Sequence, residues 1–185
     1  MGIFSGMEKV SGTAGAVTIA FKASPVLMMI SEQLDILKTL SVTVGYQGRS
    51  GLAFYPGKDR INVATVAMFH VFGTEDIPKR DFMRSALEVG RGQMADVIAR
   101  EIGLVATGQK TALDAMSAIG EFAAELIVKR IDSAGSWAKP LDPGTTKEKG
   151  SSKPLNATGL LRDSVTWAVR KGAVGGSVIR EGKPN

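Results

Sequence analysis

The chain has 185 residues, 44% of them hydrophobic and 22% charged, enough for one domain with a sizeable core. It has no cysteine and a single histidine, His70, which excludes a disulfide framework, a thiolate metal site and any histidine-built metal cluster within one chain. The net charge of +5 is uneven: Met1 to Asp76 and Ile77 to Asp132 balance, whereas Ser133 to Asn185 has nine basic and four acidic residues, an asymmetry that points to an acidic partner surface or a nucleic-acid backbone.

Val17, Ile19 and Phe21 alternate with Thr18, Ala20 and Lys22, the two-residue period of a half-buried strand. Ser24 then reads as a helix N-cap, with Pro25 at the first helical position. The helix carries Val26, Met29, Ile30, Gln33, Leu34, Leu37 and Leu40 on one face and ends near Ser41. Val42, Val44 and Tyr46 resume the strand period. Gln47 to Asp59 is turn-rich and predicts a short hairpin around Leu52 to Tyr55. A short helix over Asn62 to Val71 places Val63, Val66, Ala67 and His70 on one side.

Gly73 permits a turn and Pro78 holds Ile77 extended. A long helix is predicted from Lys79 to Leu104, with Phe82, Ala86, Leu87, Met94, Val97, Ile98, Glu101 and Ile102 near one stripe. Gly90 and Gly92 weaken its middle, which predicts a kink or break. Thr111 and Asp114 form a capping arrangement before the clearest helix in the chain. Its face is Leu113, Met116, Gly120, Ala123, Ile127 and Ile131, flanked by Ile119, Phe122 and Leu126, with Lys129 and Arg130 complementing the dipole at its end. Ser133 to Thr158 has no sustained period around its isolated Trp137. Leu160 and Leu161 then make a helical turn, Val165, Trp167 and Val169 a strand, and Ser177 to Ile179 a further short strand.

This order predicts an α+β fold: a small mixed or antiparallel sheet packed by two or three long helices, with an extended C-terminal arm. Residues 1–134 form the core, 135–157 the extended arm, and 158–185 return strands and a basic tail to the same single domain. The stretch Gly150 to Val169 has too little apolar surface to fold by itself, yet it ends in Leu160, Leu161, Val165, Trp167 and Val169, which want burial, so it reads as a docking element.

Chemistry motifs fail one by one. Gly144 to Ser151 has five residues between its glycines and no lysine after the second, so it is not a phosphate-binding loop. No dinucleotide fingerprint follows a strand, and no nucleophile elbow is present. Glu121 and Glu125 share a helix face without a nearby nucleophile, and His70 sits among apolar neighbours, so a solvated pair and a satisfied histidine are the expected roles. A hydrolase would need a perturbed acid beside His70. No catalytic residue, cofactor or metal is expected. No apolar run approaches the roughly 18 to 20 residues of a bilayer span, and no basic region precedes an apolar stretch at the N-terminus, so a soluble, unexported protein without membrane contact is expected. Gly6 breaks the myristoylation pattern, which argues against a lipid anchor.

Two segments in order carry a family likeness. His70-Val-Phe-Gly-Thr-Glu-Asp-Ile-Pro-Lys-Arg-Asp-Phe-Met-Arg84 resembles the pattern EFGT…IPxRPFxR of the neck proteins of tailed bacteriophages, called head–tail connector, tail-completion or virion-morphogenesis proteins. Pro140 to Ser164, PLDPGTTKEKGSSKPLNATGLLRDS, resembles that family's arm, PLSPxTxxxKGSxKPLxxTGxLxxS. The likeness covers roughly Val42 to Arg170 and departs where Val71 replaces a common Glu and Asp81 a common Pro. It implies a virion subunit, made in the host cytoplasm, of a homo-oligomeric ring through which the genome passes. Its partners are then the portal or adaptor complex on one side and tail or tail-terminator proteins on the other.

On that basis the subunit contacts are expected at Ile77, Pro78, Arg80, Phe82, Arg84, Trp137, Leu155, Gly159, Leu160 and Arg162. Lys147, Lys149, Lys153, Arg170 and Lys171 are expected to face DNA without reading its sequence. The alternative is a monomeric basic nucleic-acid-binding protein that uses its C-terminal third.

Overall fold

A computed structural model describes residues 24–55, 61–141, 144, 147, 153–155, 158–172 and 175–184. The strand expected at Val17 to Phe21 lies outside the described residues. The fold is α+β, with helices around a small antiparallel sheet.

Helix α1 (Pro25–Thr39) begins as its cap predicts, with the Leu27 amide donating to Ser24 Oγ at 3.2 Å. It runs without a loop into β1 (Leu40–Gly45). Only the second part of α1 lies on the body: Ala112 N donates to Gln33 Oε1 at 2.8 Å, and Ile30 covers Gly108 so closely that a Cβ there would lie 3.3 Å from Ile30 Cγ1. The first part overhangs that contact, with Val26, Leu27, Met28 and Met29 between 53% and 63% exposed. The expected face therefore holds for Ile30, Gln33, Leu34 and Leu37, whereas Val26 and Met29 find no surface among the described residues.

The sheet joins β1 to β2 (Thr166–Lys171) and β2 to β3 (Ser177–Gly182), both antiparallel. Val42 opposes Val169 and Val44 opposes Trp167, so the alternation read from the sequence puts these four on the core face. Helix α6 (Ala112–Asp132) packs on that face and approaches the strands at Gly120, where an added Cβ would meet Val42 Cγ1 at 3.1 Å and Trp167 Cβ at 3.3 Å. Gly182 makes room for the Trp167 ring on the neighbouring strand: a Cβ there would lie 2.6 Å from Cζ2. Because a buried indole ring cannot bend aside, Gly182→Ala is expected to cost about 1 to 3 kcal/mol. Thermal unfolding followed by tryptophan fluorescence checks it, and an unchanged midpoint would contradict this packing.

Between Tyr46 and Asn62 the expected hairpin is corrected in detail. Gly48–Gly51 form the one-turn helix α2, and the pairing partner of 53–55 is 61–63: Tyr55 N donates to Ile61 O and Val63 N to Ala53 O, both at 2.9 Å. Helix α3 (Val63–Phe72) follows, capped by Asn62 Oδ1, which accepts from Thr65 N at 2.8 Å. Val63, Ala67 and His70 are buried as expected.

The long helix predicted from Lys79 to Leu104 is two helices, α4 (Phe82–Val89) and α5 (Arg91–Ala106), divided at Gly90. An added Cβ at Gly90 would lie 2.5 Å from Leu126 Cδ1, so the break sits where the chain passes closest to α6. Phe82, Ala86, Val97 and Glu101 line the buried stripe, while Leu87 and Ile102 are exposed.

Buried Glu101 accepts from Arg100 at 3.0 Å and from Lys110 Nζ, joining α5 to the turn before α6. Burial alone raises its pKa, but Lys110 and Arg100 together outweigh that and hold the carboxyl below its ordinary value. A depressed folded pKa contributes stability that is complete above about pH 5 and is lost as pH falls through the folded value. Glu101→Gln is accordingly expected to cost about 1.5 to 3 kcal/mol at pH 7 and progressively less below about pH 4. Urea titrations at several pH values test this, and a pH-independent difference would contradict it.

Helix α6 is capped by Thr111, whose Oγ1 accepts from Asp114 N at 3.1 Å and donates to Asp114 Oδ2 at 2.6 Å. It is buried on most of its circumference because the sheet, α1, α4 and α5 surround it. Helices α7 (Ala134–Trp137) and α8 (Leu160–Asp163) close its C-terminal end.

Candidate functional site

The two motif segments meet. Arg80, only 3% exposed, donates from Nε to Lys139 O at 2.9 Å and from a terminal nitrogen to Pro140 O at 3.3 Å, while its amide donates to His70 O at 2.6 Å. A turn closed by Thr74 N to Ile77 O at 2.8 Å and Ile77 N to Thr74 Oγ1 at 3.0 Å delivers the chain to this point. Ile77 and Pro78 are half-buried along it. Asp81, where the resembled pattern has Pro, caps α4 by accepting from Arg84 N at 3.1 Å. Arg84 itself is exposed and pairs with Glu88 at 3.4 Å.

Phe82 is fully buried, edge-on to Tyr46 with ring centroids 6.2 Å apart, in one core with Ile127, Ile131, Leu155 and Leu161. Burial, and secondarily the nearby Tyr55, pushes the Tyr46 hydroxyl far up. Tyr55 is raised too, mainly by burial, against hydrogen bonds with the Leu161 backbone and the Thr158 side chain. Leu155 holds φ 63°, a left-handed conformation that side chains other than glycine rarely adopt, and its side chain is buried. Gly159, φ 77°, precedes α8 at a position of the same kind, which glycine adopts without strain. Leu160 is half-buried beside the core.

Trp137 is tied to the body from two sides. Its Nε1 donates to Arg130 O at 2.9 Å, and the Arg130 guanidinium lies 4.0 Å from the ring centroid while donating to Ser85 Oγ at 3.0 Å. Trp137, Leu155, Leu160 and Phe82 thus converge on the chain's own core, with Arg80 buried beneath Lys139 and Pro140, whereas Gly144, Lys147 and Lys153 of the arm are exposed.

The basic third is less free than its charge suggested. Arg162 pairs with Asp132 at 2.8 Å and Asp163 at 3.0 Å, and Arg180 with Asp114 at 2.6 Å. Arg170, expected to face DNA, lies across the outer face of the sheet and donates to Thr43 Oγ1, Gln47 Oε1 and Gly176 O within 3.1 Å. Lys147, Lys153 and Lys171 are exposed, and Lys149 lies outside the described residues. A groove of about 250 Å³ lined by Val128, Arg162, Asp163, Val165, Lys183 and Pro184 does not include His70, which is buried in α3. Among the described residues no group of three His, Cys, Asp or Glu is placed to hold a metal ion, and no helix is long and apolar enough to cross a membrane.

No family model, curated protein or solved structure matches the chain. Three parts of the site went unseen in the sequence. The Asp81 cap had a signal, an acidic residue just before an apolar-periodic run. The Arg130–Trp137 stack and the Tyr46–Phe82 edge contact had none, because both depend on how separate elements pack.

Proposed function

We propose that this chain is a structural subunit of a tailed-phage neck, forming a ring that joins the portal or adaptor complex to the tail and lets DNA pass. The observation that carries the reading is the Arg80 link. The two segments that resemble the neck family lie far apart in sequence, yet Arg80 of the first binds the Lys139 and Pro140 carbonyls at the start of the second. Their apolar residues share one core. Segments that act as one unit are what a common family pattern over both requires.

The partners under this reading are further copies of the chain, the portal or adaptor above and tail proteins below, with the exposed lysines Lys147 and Lys171 placed to meet the DNA backbone. The reaction class is none: the subunit holds and seals. The alternative, a monomeric nucleic-acid binder using the basic third, is weakened because Arg162, Arg170 and Arg180, all the arginines after Ser133, are bonded to the chain itself.

Electron microscopy of the purified protein, alone and with DNA-filled heads, tests the proposal. Rings with a central channel that seat on heads are expected. A monomer at all concentrations that binds DNA with a steep salt dependence would overturn it in favour of the alternative.

A further inference from the structure

We propose that β3 is exchanged between neighbouring copies of this chain: each copy keeps β1 and β2, gives its β3 to the next copy and receives β3 from the one before. The inference rests on the ring reading above and names what ties the subunits together.

Little holds β3 to its own chain. Every residue of it is exposed except Gly182, which is half-buried, so it puts no side chain into the core, whereas β2 is buried over most of its length. A bulge between Val169 and Arg170 interrupts the pairing of the two strands. The tie to the helices is Arg180, which donates to Asp114 Oδ1 at 2.6 Å and to Ser117 Oγ at 3.3 Å on α6. The side chains of Arg180 and Asp114 are 42% and 46% exposed, and an ion pair this open to water holds weakly. An element with no buried side chain and a water-exposed tie opens locally while the core stays closed. The turn before it can straighten: three of the five residues 172–176 are glycine, and Gly172 and Gly175 hold φ 90° and 105°, values that glycine exchanges for extended ones without steric penalty.

The seat that β3 would leave is specific for β3. Trp167, only 7% exposed, lies under Gly182, where any Cβ would come within 2.6 Å of the ring. Two residues earlier on the strand, Asp114 and Ser117 receive a guanidinium. A strand that fills this seat needs a glycine and an arginine in that register, and a second copy brings both. The occupant is therefore β3 of a neighbouring copy, which restores each of these contacts, the principle of domain swapping. In dilute solution the chain's own strand returns first because it is tethered. In a ring the neighbour's strand is tethered beside the seat as well, and its effective concentration rises accordingly. Giving one strand and receiving one is a heterologous contact, which closes with the ring.

The chain has no cysteine, so a cysteine pair across the two strands reports where β3 lies. Lys171 and Ser177 are opposite in the β2–β3 register and both exposed, so Lys171→Cys with Ser177→Cys can form a disulfide without disturbing the core. Ala168→Cys with Glu181→Cys, also opposite, provides a second pair. Each variant is oxidised in dilute and in assembled form and separated on denaturing, non-reducing gels. Dilute protein is expected to give single chains with an internal disulfide, and assembled protein a ladder of covalently linked chains. Assembled protein that gives only single chains would overturn the exchange and leave the ring reading standing. Protein that assembles at no concentration would overturn both. Hydrogen exchange on the dilute wild type gives an independent check: the β3 amides should exchange roughly 100-fold faster than those of α6. Equal protection would mean that β3 leaves only when the whole chain unfolds, and would overturn the exchange.

Discussion

Phe82→Ala is expected to lower the unfolding free energy by about 3 to 5 kcal/mol, the range for emptying an aromatic site in a close-packed core. Phe82 has no exposed surface and faces the Tyr46 ring edge-on, within a core completed by Leu155 and Leu161 from the arm. The cavity therefore opens where three distant parts of the chain meet. For a chain of this size the midpoint of thermal unfolding should fall by roughly 10 °C. Urea unfolding measures the free energy directly. A loss below about 1 kcal/mol would mean that the site collapses and that Phe82 is not the centre of the core.

Arg80→Met should have the second largest effect, of a different kind. The substitution keeps the apolar stem and removes the guanidinium that holds the Lys139 and Pro140 carbonyls. Charge-assisted hydrogen bonds of this type contribute about 1.5 to 3 kcal/mol each, so about 3 kcal/mol in all is expected. Unlike Phe82→Ala, this change should act locally. Hydrogen exchange of peptides spanning 135–141 should accelerate while α6 stays protected. Uniform acceleration would show that Arg80 supports the whole fold and not the arm. If the ring reading is right, the same variant should also assemble poorly, since the arm would leave its place.

Much of the fold was legible because local chemistry decided it. Ser24 and Thr111 mark helix starts by satisfying free amides, and both caps are present. The alternation of Val42, Val44, Trp167 and Val169 identified the core face of two strands. The break at Gly90 was legible as a weak point in a helix. Its cause was not, because Leu126 belongs to another helix.

The site was legible only in part. The need of Trp137, Leu155 and Leu160 for burial could be read, but not the surface that buries them, since an apolar side chain carries no address. Arg170 shows the same limit. Its charge suggested a DNA contact, and only the strand register, which sets it beside Thr43 and Gln47, shows the chain's own groups as its partners. The overhang of α1 was missed for the opposite reason: periodicity describes a helix face but not where the body beneath it ends.

The pairing of β1 with β2 has a kinetic consequence. Thr43 and Ala168 are 125 positions apart, so the first strand of the sheet emerges from the ribosome long before its partner. Contacts of such long range slow folding, and an unpaired strand edge is prone to aggregate while it waits. Helix α6, complete by Asp132, packs on the core face of β1 and can shelter it in that interval. A chain truncated before Thr166 thus keeps one of the three described strands, and the sheet can close only once β2 has been synthesised.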